Sequence, residues 1–379
     1  MEAVYIHIPF CIKKCNYCDF YSLPIKTAGA LIEEYCTAVQ KEITLYAREL
    51  GDSVQVKSIY FGGGTPTVLP ARELTGILNT LYASFPVTND VEVTVECNPG
   101  TVDGDYFLRL KDAGVNRLSI GAQAAQDRLL EKMGRIHCWR DTVRTLSQAR
   151  RTGLENINLD LIYGLPGQTI EQWKESLRDT LSLEVPHVAV YGLKLELDTP
   201  WGQARELGKL DFPDQDISAD MLEAAMDFLM GAGYLHYEIS NFARPGFPSR
   251  HNIVYWKNHD YLGIGAAAAS HLGPTRRTNV LSVEGYIDAL RQGCFPVGEE
   301  EFLDRETEMA ETIFLGLRLL TGIDQDEFRA RFEVNLIDKY SAQVEKLCRL
   351  GLLKMSGNRI KLSRKGLFLG NEVFLEFLP

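Results

Sequence analysis

Positive charge is scarce in this sequence: of 379 residues only 40 are Lys or Arg against 51 Asp or Glu, a formal net charge of −11. Such a surface repels phosphate backbones and anionic lipid, so nucleic-acid binding or a polybasic membrane anchor would need a local basic patch. The pair Arg276 and Arg277 is too small to be one. Long apolar runs are also missing, and none approaches the roughly 18–20 residues that span a bilayer. The first residues, Met1-Glu2-Ala3-Val4-Tyr5-Ile6-His7, carry neither the basic nor the apolar region of a secretory leader. Low-complexity tracts are absent. These absences predict a cytoplasmic protein with no nucleic-acid partner and no integral membrane segment, in a compartment where thiols stay reduced. Its eight cysteines then need not pair, and clustered thiols point to metal.

What is present begins with an ordinary globular balance, 45% hydrophobic and 24% charged, in a chain long enough for two or three units. From residue 4 to about 193, short β-branched runs alternate with helical stretches. Strands are predicted at 4–8, 58–61, 91–96, 117–120, 156–162 and 187–191, with helices at 28–50, 71–84, 140–151 and 170–183 between them. Repeated βα units imply parallel strands with right-handed crossovers, hence an α/β barrel or a doubly wound sheet. Beyond residue 191 the rhythm fades into a connecting loop and a helix near 217–231, then a Gly-, aromatic- and His-containing stretch at 237–272 that resembles a site-forming insertion. The end of the chain reads as helices at 304–319, 325–332 and 336–349 followed by a hairpin, 352–355 with 359–362, which resembles a winged helix. The acidic whole-chain charge favours a structural or protein-contact use for that module.

The chemistry concentrates at Cys11-Ile-Lys-Lys-Cys15-Asn-Tyr-Cys18, a C-x3-C-x2-C loop directly after the first strand. Three thiolates on one tight loop can hold three irons of a cubane cluster and leave the fourth iron open to a chelating ligand. The alternative is structural zinc, but such sites are closed by four ligands and no partner C-x2-C follows. Cys36, Cys97, Cys138, Cys294 and Cys348 stand alone and read as small buried hydrophobes. The second strand ends in Phe61-Gly62-Gly63-Gly64-Thr65-Pro66, where glycines let backbone approach a ligand or simply make a tight turn. Later strand ends carry Glu96, Gln123 and Asp160, and Arg135 follows in Met133-Gly134-Arg135. Taken singly, each is as well explained as a strand-end polar residue.

The cysteine triplet resembles the radical S-adenosylmethionine (SAM) signature. Its surroundings are similar to the oxygen-independent coproporphyrinogen III oxidase-like branch, over essentially the whole chain. The resemblance implies a partial, laterally open (β/α)6 TIM-like barrel over residues 1–200. It further implies an extension over 201–300 completing the barrel, and an α+β, winged-helix-like C-terminal module of the HemN type over 301–379. It implies a [4Fe–4S] cluster on Cys11, Cys15 and Cys18. It also implies a SAM site drawn from Tyr5, Tyr17, Gly63, Gly64, Thr65, Glu96, Gln123, Arg135, Asp160, Lys194 and Ala269, the last two on looser local similarity.

Two departures separate this chain from the branch's oxidases, which decarboxylate coproporphyrinogen III through SAM radical chemistry. Cys18 is followed by Asp19-Phe20 rather than by a further cysteine after one residue, and only ten residues precede Cys11 where the oxidases carry a long covering extension. A radical enzyme has to exclude water while the radical lives, so the missing cover weakens the oxidase reading. In its place stands His251-Asn252-Ile253-Val254-Tyr255-Trp256, which matches the HNxxYW signature of the branch's haem chaperones. Imidazole can ligate haem iron, and Tyr and Trp can pack on a macrocycle, although the same residues also suit a turn beside a core. The resemblance therefore implies haem as cargo with His251 as a ligand. It implies recipient respiratory haem proteins, a haem donor, a homodimer and transient contact with the membrane surface, with oxygen-independent coproporphyrinogen III oxidation by SAM radical decarboxylation as the alternative reading. His7 shares a strand face with Tyr5, while His137, His187, His236, His259 and His271 have no spacing partner.

Overall fold

The computed structural model describes residues 1–51 and 54–378. Six strands form its scaffold: β1 (Ala3–Ile8), β2 (Val56–Gly63), β3 (Val87–Cys97), β4 (Arg117–Gln123), β5 (Asn156–Tyr163) and β6 (His187–Gly192). Each pairs in parallel with the next in chain order. Such strands are covered on both faces, which is why they read as continuous apolar runs; all seven residues of β4 are buried. The crossovers include helices Ile32–Leu50, Ala71–Ser84, Gly104–Asp112, Trp139–Arg151 and Ile170–Ser182. Their starts are fixed locally: Asp103 accepts from the Tyr106 amide, and Thr169 forms a capping box with Gln172, devices worth about 1 kcal/mol each.

The expectation of six parallel strands is one short. From the extension, β7 (Leu235–Glu238) and β8 (Asn241–Ala243) add antiparallel pieces beyond β6, whereas β9 (Tyr261–Ile264) lies parallel to β1 on its outer side. Three further antiparallel strands, β10 (Ala269–Leu272), β11 (Thr275–Asn279) and β12 (Val297–Phe302), continue from β9. The order is β12-β11-β10-β9-β1-β2-β3-β4-β5-β6-β8-β7, a 12-stranded sheet whose ends do not meet, so the barrel is open along one side. β9 reads Tyr-Leu-Gly-Ile, where a glycine interrupts the apolar run, which explains its absence from the sequence reading.

One hydrophobic core runs from Val4 to Leu290, so residues of the extension pack into the same interior as the βα units. A second, from Met309 to Phe377, belongs to the C-terminal helices and a three-stranded sheet of β13 (Ile323–Asp324), β15 (Arg359–Leu362) and β14 (Leu353–Ser356). The helix expected over 336–349 is broken at Tyr340 into Leu336–Lys339 and Ser341–Arg349. Arg276 and Arg277 are engaged by Glu301, Glu311, Glu300 and Glu49 and offer no basic patch. Among the described residues no helix is long and apolar enough to cross a membrane.

Candidate functional site at the barrel rim

Enzymes of this architecture collect reactive groups at the C-terminal ends of the parallel strands. Here that rim starts with Phe10-Cys11, which pairs with Leu23-Pro24 and so closes the loop bearing the three cysteines. The loop is pinned to the end of helix Asp127–Met133: the Asn16 amide donates to the Met133 carbonyl at 3.0 Å and its side chain to the Lys132 carbonyl at 3.0 Å. Tyr17 packs on Trp201, ring centroids 6.0 Å apart, against a small apolar group with Leu129, Leu130 and Met133. That helix was not expected from the sequence.

Two sulfurs of the triplet have a side-chain partner from elsewhere in the chain. Cys11 Sγ lies 3.5 Å from Thr65 Oγ1, and Arg135 places a guanidinium nitrogen 3.7 Å from Cys15 Sγ. Asn98, at the end of β3, ties the two together: its amide donates to Thr65 at 2.7 Å and its oxygen accepts from Arg135 at 2.5 Å. Arg135 also donates to the Gly121 carbonyl at 2.8 Å. Burial pushes the Cys11 thiol up and the Cys18 thiol up to about 11, outweighing the lowering by Arg135 at the first and Lys14 at the second. Among the described residues, no three His, Cys, Asp or Glu side chains converge on a single metal ion.

The glycines of β2 are required by the protein's own packing. Gly63 has φ 106°, and a β-carbon there would fall 2.4 Å from the His7 ring; one on Gly64 would fall 2.6 Å from the Phe10 carbonyl oxygen. Close approach of β2 to β1 and the cysteine loop, rather than a ligand alone, accounts for them. Gly121 has the same role on β4, since a β-carbon would meet Gln123, Asn98 and Arg135 at 2.8–3.2 Å. Asn98 and Gly121 were missed as site residues; an Asn before a proline at a strand end was the available signal for the first.

Deeper in the barrel, Tyr60 donates to Glu96 at 2.8 Å, and Asp160 accepts from Asn158 at 2.7 Å and Ser119 at 3.2 Å. Burial raises Glu96 to about 7 and Asp160 to about 6, and the Asp160 charge adds to the rise at Glu96. Tyr5 hydrogen-bonds His7 at 3.0 Å, and His7 reaches the Tyr21 carbonyl at 3.0 Å, so His7 belongs to the rim rather than the floor. Lys194 and Ala269 share no hydrogen bond with these groups among the described residues. Lys194 is exposed and pairs with Glu196 at 2.6 Å, whereas Ala269 packs its carbonyl against Gly263, the β9 neighbour of Tyr5.

His251 is at the opposite end. Its Nδ1 lies 3.1 Å from Ser58 near the start of β2, five residues or roughly 16 Å along the strand from Gly63. Its Nε2 lies 2.9 Å from the Tyr255 hydroxyl, its ring stacks on Tyr60 at 5.0 Å, and burial lowers its pKa to about 3. The helix Arg250–Trp256 closes the barrel floor, with the Glu92 carboxylate accepting from the amides of Arg250 and His251 at 3.2 and 3.1 Å. Both ring nitrogens are engaged within the protein, and only 1% of His251 is exposed. Of the lone cysteines, Cys36 and Cys97 are buried as expected, but Cys138 begins helix Trp139–Arg151 with its sulfur on Asp141 and Cys294 is exposed.

Comparison with known proteins follows the same geography. Residues 5–180 match the radical SAM superfamily model and residues 303–369 the HemN C-terminal domain. The heme chaperone HemW of Bacillus subtilis (strain 168) is 38% identical over 379 residues, covering 100% of this chain and 99% of that protein. The chain belongs to the HemW family of radical SAM proteins. A second HemW, from Lactococcus lactis, is 38% identical over 100% of this chain and 97% of its own length. The mouse mitochondrial radical S-adenosyl methionine domain-containing protein 1 is 32% identical over 100% of this chain and 87% of its own. Among solved structures, the coproporphyrinogen III oxidase HemN of Escherichia coli superposes with TM-score 0.85 over 99% of this chain and 90% of that one. Its 24% identity establishes the shared fold alone. HemW membership, an open parallel barrel and a HemN-type C-terminal module are thus established together.

Proposed function

We propose that this HemW-family chain is a haem chaperone: it binds haem, carries a SAM-coordinated [4Fe–4S] cluster on Cys11, Cys15 and Cys18, and passes haem to membrane-bound respiratory haem proteins. The observation that carries the proposal is full-length similarity, at 38% identity, to proteins named as heme chaperones. A haem donor, a homodimer and transient contact with the membrane surface belong to the same reading.

The rim residues fit the cluster. Thiols on one loop, with Cys11 buried and Cys15 and Cys18 half-buried, are soft donors that would become thiolates on meeting iron, and Cys11, Cys15 and Cys18 would hold a cluster that supplies an open coordination position for SAM. Arg135, held by Asn98 and Gly121, keeps a positive charge beside Cys15. Thr65 orients toward Cys11 while accepting from Asn98. For SAM, Glu96 is suited to accept from an ammonium or a ribose hydroxyl, and Gln123 can both donate and accept. Gly63, Gly64, Thr65, Arg135, Asp160, Tyr5, Tyr17, Lys194 and Ala269 complete the proposed set. A SAM ammonium beside Glu96 would favour its ionised form at neutral pH. His251 contributes to haem capture as part of the floor helix.

The test is an anaerobic assay of the reconstituted protein with SAM, dithionite, haem and coproporphyrinogen III. The expected result is stoichiometric haem binding with no decarboxylated porphyrin. Conversion of coproporphyrinogen, or failure to retain haem, overturns the proposal.

A further inference from the structure

A cleft of about 700 Å³ opens between the barrel edge, at the ends of β5 and β6, and the C-terminal module. Its size falls within the roughly 300–1,000 Å³ typical of small-molecule and cofactor sites. Phe212, Ile239, Phe368 and Phe374 give it apolar and aromatic walls, and its two cations are Arg205 and Arg318. Asp216 and Glu372 also line it, so an anionic ligand has two positions in the cleft where charge is matched. Among the described residues no His, Cys or Met lines it, and Tyr163 is the one lining side chain of a type that ligates haem iron.

Arg318 is held from behind by the signature helix. Its guanidinium lies 4.2 Å from the centroid of the Trp256 ring, and one nitrogen is 3.6 Å from the fully buried carboxylate of Glu238. Backbone bonds lock the same stretch, the Ile239 amide to the Arg318 carbonyl at 3.2 Å and the Leu320 amide to the Tyr237 carbonyl at 3.0 Å. Arg318 Nε is buried and finds no acceptor within the protein. A planar guanidinium stacked on indole and steered by a carboxylate is preorganised for a carboxylate partner.

We propose that this cleft takes the tetrapyrrole by its carboxylate edge, with Arg318 and Arg205 receiving the propionates, and that Trp256 of the HNxxYW signature acts as the positioning residue for Arg318. The inference rests on the haem-chaperone reading and specifies where that cargo sits. It assigns the signature a different task from macrocycle stacking: Trp256 faces the back of an arginine, and the cleft grips side chains and ring faces rather than iron. A carrier that does not clamp the metal leaves it free for the recipient's ligands.

The test titrates the full-length protein with three probes: haem, iron-free protoporphyrin, and haem dimethyl ester. Removing one charge-assisted contact costs about ten- to a hundredfold in affinity. Arg318→Ala should weaken haem and iron-free protoporphyrin alike by that factor and leave the ester unaffected. Arg318→Lys should recover part of the loss, and Trp256→Leu should weaken binding several-fold with the same preference for free carboxylates. Arg205 is exposed, so Arg205→Ala tests the cleft without disturbing the fold and should cost about tenfold. Equal affinity of wild type, Arg205→Ala and Arg318→Lys for haem overturns the cleft, as does binding that requires iron and responds only to His251→Ala. A wild type that binds none of the three probes refutes the chaperone reading itself.

Discussion

At the floor of the barrel His251 spends both ring nitrogens on Ser58 and Tyr255, and Glu92 caps the two amides at the start of its helix. His187 likewise joins Asn158 at 2.6 Å to Tyr237 at 2.9 Å. At the rim, Thr65, Asn98, Gly121 and Arg135 are ordered by one another around the cysteine sulfurs, with the Arg135 guanidinium beside Cys15. Both ends are buried and hydrogen-bonded, so burial alone does not mark a binding site. The donor chemistry does: the rim gathers three cysteines on one loop beside an arginine. The floor closes a structure, and the rim prepares one for a ligand.

Substitutions at the two ends should separate accordingly. The largest effect belongs to the rim: Cys11→Ser or Cys15→Ser should remove cluster iron and sulfide almost completely, read by iron and sulfide analysis, while the melting temperature stays within a few degrees. Unfolding of these variants would erase the contrast. At the floor, Glu92→Ala should leave the Arg250 and His251 amides uncapped and destabilise the protein by about 2–3 kcal/mol in denaturant unfolding, with iron content unchanged. Returning to the rim, Asn98→Ala releases Thr65 and Arg135 together and should weaken SAM binding about tenfold at full cluster occupancy, a loss measurable by calorimetry.

The smallest effect is a pH dependence away from both ends. Glu42, buried under Tyr286, Asn279 and the Gly265 amide, is raised by burial from 4.5 to about 7. A carboxyl whose folded pKa is raised stabilises the fold fully below its unfolded value and loses that contribution as pH rises through the folded one. Stability should therefore fall on the order of 1 kcal/mol between pH 5.5 and 7.5, and Glu42→Gln should flatten the slope in thermal melts across that range.

Much of the rim was legible in the sequence because its signals are local: the C-x3-C-x2-C triplet and the glycine run each span only a few residues, and the carboxylates stand at the ends of recognisable strands. The six longest parallel strands were legible for the same reason, through apolar runs and turn residues. What escaped notice depends on distant chain. Helix Asp127–Met133 pins the cysteine loop across more than a hundred residues, and β9 becomes a barrel strand only by pairing with β1. The HNxxYW signature was recognised but its orientation was not, because a helix of seven residues that mixes polar, aliphatic and aromatic side chains is too short to show which face is buried. Arg318, some sixty residues beyond Trp256, carried no local signal at all.

The central claim is that the rim holds an incompletely liganded cluster. Electron paramagnetic resonance of the anaerobically reconstituted, dithionite-reduced protein, recorded before and after SAM is added, tests it most directly. The account predicts a [4Fe–4S] signal that changes on SAM addition and is lost in Cys15→Ser; a wild-type signal identical with and without SAM would contradict it.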